Sequence, residues 1–174
     1  MLEDGSVYEG TARGDFKETA CEIVFNTSMT GYVEILTDPS YAGQGVVMTY
    51  PMIGNYGISR EDFESERLQP SAFIVHELSS DPSNFRCTDT IENLLKEYNI
   101  PCISGVDTRA VVKKLRESGT MRGVLTSDIS DRDRLMDVIK SFRQIDLVGS
   151  VTAKQTKVYG EENTGAEIAL MDFG

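Results

Sequence analysis

A cysteine-histidine nucleophilic pair in this 174-residue sequence would have to be drawn from three cysteines and one histidine: Cys21, Cys87, Cys102 and His76. A cysteine nucleophile acts as its thiolate, so it needs a base within reach and an exposed, electropositive setting, often a glycine-flanked turn between strand and helix. The neighbours here are Ala20 and Glu22, Arg86 and Thr88, and Pro101 and Ile103, with no glycine among them. Any Cys-His or Ser-His chemistry would have to pass through His76, which follows the apolar run Phe73, Ile74, Val75 and reads as a strand-end histidine. The expectation is inert thiols and no catalytic residue in this chain. With no C-x-x-C pair and a single histidine, neither a disulfide framework nor a thiolate zinc site is expected.

Other chemistry-bearing patterns are weaker. No G-x-G-x-x-G or G-x-x-x-x-G-K-[ST] string is present, so a glycine loop for nucleotide phosphates has no support. Asp128, Asp131 and Asp133 lack the glycine and closing glutamate of a calcium loop and read as negative charge at a helix N-terminus. The segment from Asn26 to Gly57 differs in kind. It holds Asn26-Thr27-Ser28-Met29-Thr30-Gly31-Tyr32, then Thr37-Asp38-Pro39-Ser40-Tyr41, then Thr49-Tyr50-Pro51-Met52-Ile53-Gly54-Asn55-Tyr56-Gly57. Such strings can be turns closed by local side-chain bonds, or a polar surface of loops on rigid strands that meets a ligand or another domain. Composition alone leaves both open.

The elements that would position these strings follow from periodicity. After an Asp4-Gly5 turn, strands are expected over Ser6 to Arg13, Glu22 to Asn26, Val33 to Leu36, Gly45 to Tyr50, Ala72 to Val75, Pro101 to Ser104 and Gly123 to Thr126. A surface loop with one helical turn is expected from Met52 to Leu68. Helices are expected from Asp89 to Tyr98, with Asp89 and Glu92 as a capping box, and from Thr108 to Ser118, between Asp107 and Gly119. A third, opened by Ser130 or Asp131, turns Leu135, Val138, Ile139 and Phe142 inward. The order gives an α/β fold, with layered sheets and helices on one side. After Asp146 the sequence becomes polar and helix-poor, a linker, before Ile168 to Met171 form one more short strand. A strand so placed is expected to open another domain.

Seventeen basic residues against 28 acidic ones give a net charge of −11, which disfavours a general nucleic-acid surface. No run reaches the roughly 18 apolar residues of a membrane span, and no basic-then-apolar leader opens the sequence. Neither a nucleic-acid nor a membrane partner is expected, and the expected compartment is the cytoplasm.

The three polar strings, with Gly105-Val106-Asp107-Thr108-Arg109 and the closing Met171-Asp172-Phe173-Gly174, resemble the small subunit of glutamine-dependent carbamoyl phosphate synthetase, in order and over essentially the whole chain. The resemblance implies a swivelling β/β/α domain over residues 1–146, a linker over 147–166, and at 167–174 the first strand of a class I glutaminase domain. It implies that the cysteine, histidine and glutamate of glutamine hydrolysis lie in that glutaminase domain, so that none is in this chain. It also implies that ammonia passes to a large subunit that holds the ATP and magnesium, leaving no cofactor or metal here. Its implied partners are thus the large subunit, the glutaminase domain of the same polypeptide, and glutamine. One substrate residue carries over: Ser40 matches the serine through which this domain reaches glutamine. Read without the resemblance, Ser40 caps a turn. Two other functions stay open on the residues: a small hydrolase or lyase using Cys102 or Cys87 with His76, and a free-standing ligand-binding or scaffold domain.

Overall fold

The apolar runs Ile23-Val24-Phe25, Val46-Val47-Met48 and Ala72-Phe73-Ile74 have no polar alternation, the pattern of strands covered on both faces. In the computed structural model, which describes residues 1–143, 146–160, 165 and 168–174, they form the centre of one sheet. The strands are β1 (Thr11–Arg13), β2 (Thr19–Asn26), β3 (Gln44–Met48), β5 (Ala72–Ile74), β7 (Cys102–Ser104) and β8 (Met121–Leu125), in the order β1-β7-β5-β3-β2-β8. β7, β5, β3 and β2 run parallel, and β1 and β8 flank them antiparallel. Between β3 and β5 comes β4 (Met52–Ile53), which pairs in parallel with β6 (Glu77–Leu78) as a separate two-stranded sheet.

Alternation along the strands divides the core. Val46, Met48, Phe73 and Cys102 face one way and pack with α1 (Tyr32–Thr37), α2 (Ile91–Glu97) and Ile53 of β4. Cys21, Ile23, Val47 and Ile74 face the other way and pack with Val111 and Leu115 of α3 (Thr108–Ser118). α4 (Arg132–Ser141) sets Leu135 and Ile139 against Val124, which points to the α1 and α2 side because Met121 and Leu125 point to the α3 side. Helices therefore cover both faces, not one. A sheet with two apolar faces has to bury both.

Other differences have local causes. Val33 to Leu36 is helix, not strand. Tyr32, Val33, Ile35 and Leu36 are all buried, and positions i, i+1, i+3 and i+4 form one face of a helix, a distinction that a four-residue apolar run does not make. The expected strand from Ser6 narrows to Thr11–Arg13; the Asp4-Gly5 turn forms, but it closes on Leu2, which bridges Gly123. The 52–68 loop contains β4 as well as the expected helical turn, a 3₁₀ turn at Arg60–Asp62. α2 is capped one residue later than expected. Thr90 Oγ1 accepts from Asn93 N at 3.2 Å, while Asp89 Oδ1 accepts from Thr90 N and Asn93 Nδ2, each at 2.7 Å. Asp107 and Asp131 cap α3 and α4 as their positions indicate, and Gly119 ends α3. Phe142 is the half-buried C-cap of α4 rather than a core residue.

The chain divides into two compact units, Met1–Gln144 and Ile145–Gly174. In the second, the segment expected to be helix-poor forms a short helix, α5 (Leu147–Val151), capped by Asp146. Residues 168–174 form no strand. Ile168, Leu170, Met171 and Phe173 are exposed, since no neighbouring strand is present among the described residues to complete a ladder. The expected boundary between linker and next domain, at 166 and 167, lies outside the described residues. Among the described residues no helix is long and apolar enough to cross a membrane.

Candidate functional site

Four parallel strands release their following loops at the same end of the sheet, and three of those loops carry the polar strings that begin at Asn26, Thr49 and Gly105. Residues 27–31 leave β2, 49–51 leave β3, 75–76 leave β5 and 105–107 leave β7. Backbone hydrogen bonds stitch them into a continuous rim. Thr49 N donates to Asn26 O at 3.0 Å, Glu77 N to Pro51 O at 2.9 Å, and Gly105 N to His76 O at 2.7 Å.

Two tyrosines organise the middle of that rim. Tyr32 and Tyr56 stack with ring centroids 4.1 Å apart and planes at 19°. The Tyr32 hydroxyl, fully buried, donates to Gly57 O at 2.8 Å and accepts from Tyr56 N at 3.2 Å. The Tyr56 hydroxyl accepts from Gly31 N at 2.6 Å and Tyr32 N at 3.2 Å. Helix α1 starts at Gly31 with φ +82° and no capping side chain of its own, so Tyr56 takes over the work of an N-cap from 24 to 25 residues away. Burial raises both phenols above their ordinary range and keeps these hydroxyls neutral. Gly57, at φ +70°, closes the turn where a side chain would collide with Cys87 Sγ. Among the described residues the Glu34 Oε2 atom is buried without a hydrogen-bond partner, and Glu34 lies beside Gly31.

The cysteines and His76 do not converge. Cys21 and Cys102 are fully buried, and burial pushes each thiol up to about 12, which keeps both in the unreactive thiol form. Cys87 is half-buried and its Sγ donates to Asp89 O at 3.4 Å. His76 is exposed, with Nδ1 3.0 Å from Val106 O, an acceptor that holds the ring proton on that nitrogen. No hydrogen bond joins His76 to a cysteine among the described residues. The bonded Cys-His pair that such a hydrolase would use is thus not formed among the described residues. Among the same residues no three His, Cys, Asp or Glu side chains gather so as to hold a metal ion.

Ser40 lies apart from the rim, on a 3₁₀ turn (Pro39–Tyr41) that precedes β3 on its amino side. The turn is pinned. Ser40 N donates to Asp38 Oδ1 at 2.8 Å, Tyr41 N to Asp38 O and Ala42 N to Pro39 O, each at 3.0 Å, and the Tyr41 hydroxyl accepts from Asn26 Nδ2 at 2.9 Å. That last bond joins the 37–41 string to the 26–32 string. Asp38 does the capping. The exposed Ser40 Oγ bonds no group among the described residues.

Sequence reasoning had the strings but not the tyrosine pair that couples them. Its one legible sign was Gly31 before an apolar run without Ser, Thr, Asp or Asn in the capping place, which left α1 in need of a distant acceptor.

Residues 1–125 match the family model for the carbamoyl-phosphate synthase small chain, CPSase domain. Curated relatives named carbamoyl phosphate synthase small chain are similar along the whole chain. That of Clostridium perfringens is 46% identical, over 100% of this chain and 49% of the relative. Those of Caldanaerobacter subterraneus and Archaeoglobus fulgidus are each 47% identical over 99% of this chain, covering 46% and 49% of the relatives. The chain spans about half the length of the curated relatives it matches.

Proposed function

Because the chain belongs to the carbamoyl-phosphate synthase small chain family, we propose that it serves as the N-terminal docking domain of a small subunit. In that reading the subunit hydrolyses glutamine and passes ammonia to a large subunit, which makes carbamoyl phosphate from bicarbonate at the expense of ATP for arginine and pyrimidine synthesis. The ATP and its magnesium belong to the large subunit, and the cysteine nucleophile with its histidine and glutamate belongs to a glutaminase domain that follows this one. The observation that carries the reading is the match over residues 1–125, in a chain half the length of its relatives. The inert thiols support it. The second sheet, β4 with β6, sets Ile53 into the core on the face of the main sheet that α1 and α2 also cover.

Ser40 is the glutamine contact in this proposal. Its hydroxyl is exposed, uncommitted and held on a turn fixed by Asp38 and Tyr41, so it can bond the polar end of a substrate without first breaking a bond of its own. A neutral or charge-assisted hydrogen bond of about 1 to 2 kcal/mol corresponds to roughly 5- to 30-fold in affinity. In the complete small subunit with its large partner, Ser40→Ala is expected to raise the KM for glutamine by that factor and leave ammonia-dependent synthesis unchanged. An unaltered KM would refute the assignment. Glutamine hydrolysis by this chain alone, abolished by replacing Cys87 or Cys102, would refute the function.

A further inference from the structure

In the unit Met1–Gln144 the large apolar side chains left exposed among the described residues are Met29 at 67%, Met52 at 39% and Phe85 at 98%. Single exposed hydrophobics are ordinary. These three are not scattered. Each lies on a segment fastened to the same turn, Ile53–Gly57. The loop of Met29 is held by Gly31 N to the Tyr56 hydroxyl at 2.6 Å, and Met52 directly precedes Ile53. The loop of Phe85 is held by Ser83 N to Asn55 O at 2.9 Å.

The Phe85 loop is fixed on both sides of the ring. Arg86 N donates to Asn84 Oδ1 at 2.9 Å, Cys87 N to Asn84 O at 3.1 Å and Thr88 N to Ile58 O at 2.8 Å. The Arg86 guanidinium reaches Asp62 at 2.7 Å and Glu61 at 3.1 Å. A phenyl ring held in water by a pinned loop has lost its backbone freedom before any partner arrives, the condition under which an exposed aromatic contributes most on association.

We infer that the loops 27–31, 52–57 and 83–87 form a protein-docking surface anchored by Phe85, for a partner that offers an apolar pocket framed by lysine and arginine. The charge of the surroundings selects that partner. Glu34, Glu61, Asp62 and Asp81 flank these loops, and the cations beside them are already engaged, Arg86 by Glu61 and Asp62 and Arg60 by Glu97. Nucleic acid and anionic lipid are repelled by such a rim. A second copy related by two-fold symmetry would set the same carboxylates against each other.

The inference rests on the function proposed above, in which the partner is the large subunit. Its test uses the complete small subunit, titrated with that partner by calorimetry or interferometry. Phe85→Ala is expected to weaken association at least about tenfold, as loss of an anchor does, and adding Met29→Ala to weaken it further. Glu61→Gln is expected to slow association at low salt. The thermal unfolding midpoint of Phe85→Ala in the complete subunit is expected to stay at the wild-type value; a lowered midpoint would mean that the ring packs on the rest of the subunit and would overturn the docking surface. If Phe85→Ala/Met29→Ala binds within about twofold of wild type, the docking surface is overturned and the proposed function stands. If the wild-type subunit fails to bind any large subunit, the proposed function falls with it.

Discussion

Removing one oxygen from Tyr56 tests the architecture of the rim. In Tyr56→Phe the ring keeps its stack on Tyr32, so packing is held constant, while Gly31 N and Tyr32 N lose the acceptor that lies 2.6 and 3.2 Å away. A buried donor left unpaired costs about 1 to 3 kcal/mol. Gly31 is half-buried, so water can partly replace its bond, and the 3.2 Å bond of Tyr32 is the longer and weaker of the two. Together these give a loss of about 2 kcal/mol, the upper end of what removing a helix N-cap costs. For a chain of this size that corresponds to a fall of roughly 4 to 8 °C in Tm. Equilibrium urea unfolding followed by far-ultraviolet circular dichroism measures the global change, with a shifted midpoint and an unchanged slope. Amide hydrogen exchange at Gly31 and Tyr32 locates it, because both amides are expected to exchange faster while those of β3 and β5 slow or speed only with global stability. A loss under about 0.5 kcal/mol, with exchange at these amides unchanged, would mean that Tyr56 does not cap α1.

Two further outcomes concern the buried thiols and an acid-sensitive pair. In the native protein a thiol reagent at pH 8 is expected to modify Cys87 alone, with Cys21 and Cys102 reacting only after denaturant is added; rapid native modification at all three positions would contradict the burial described. Asp4, hydrogen-bonded to Lys114 at 2.8 Å, has its carboxyl lowered to about 2, chiefly by that bond. A depressed carboxyl pKa stabilises the folded state above the unfolded value near 4, and the contribution is lost as pH falls toward and through about 2. Lys114→Met should therefore be less stable than wild type at pH 6, with the gap shrinking as pH falls toward and through about 2, read from urea midpoints. A gap of the same size at pH 6 and pH 2 would assign the effect to packing of the lysine stem instead.

What the sequence disclosed depended on how many residues shared one job. β2, β3 and β5 were legible because each is an unbroken apolar run, and α3 because Asp107, Val111, Leu115 and Gly119 fall at helical positions and ends. α1 was not, because six residues are too few to separate period 3.6 from an unbroken apolar strand, and its cap is supplied by Tyr56, a residue in another loop. Coverage of both sheet faces was equally hidden. It depends on which way α3 and α4 turn after β7 and β8, and the periodicity of a helix says which side is apolar but not which sheet face receives it. Of the candidate site, the strings could be read as polar loops. Their assembly into one rim could not, because it follows from four strands being parallel, a fact of pairing rather than of composition.

The same geometry separates two jobs that the sequence placed side by side. Ser40 and the exposed Met29 are 11 positions apart, yet the first precedes β3 on its amino side and the second follows β2 at its carboxyl end. In the proposals above, Ser40 would meet glutamine and Met29 a partner subunit, two contacts made from different loops that share the Asn26–Tyr41 bond. What connects them is short and specific: the Tyr41 hydroxyl bonded to Asn26 Nδ2, with Asn26 O bonded in turn to Thr49 N. A displacement of the rim would act on the Ser40 turn through the Asn26–Tyr41 bond, and a close-packed core that includes Val46 and Phe73 transmits strain as well. A rigid sheet with a polar link of this kind beside it lets one domain hold two proposed contacts at a fixed distance.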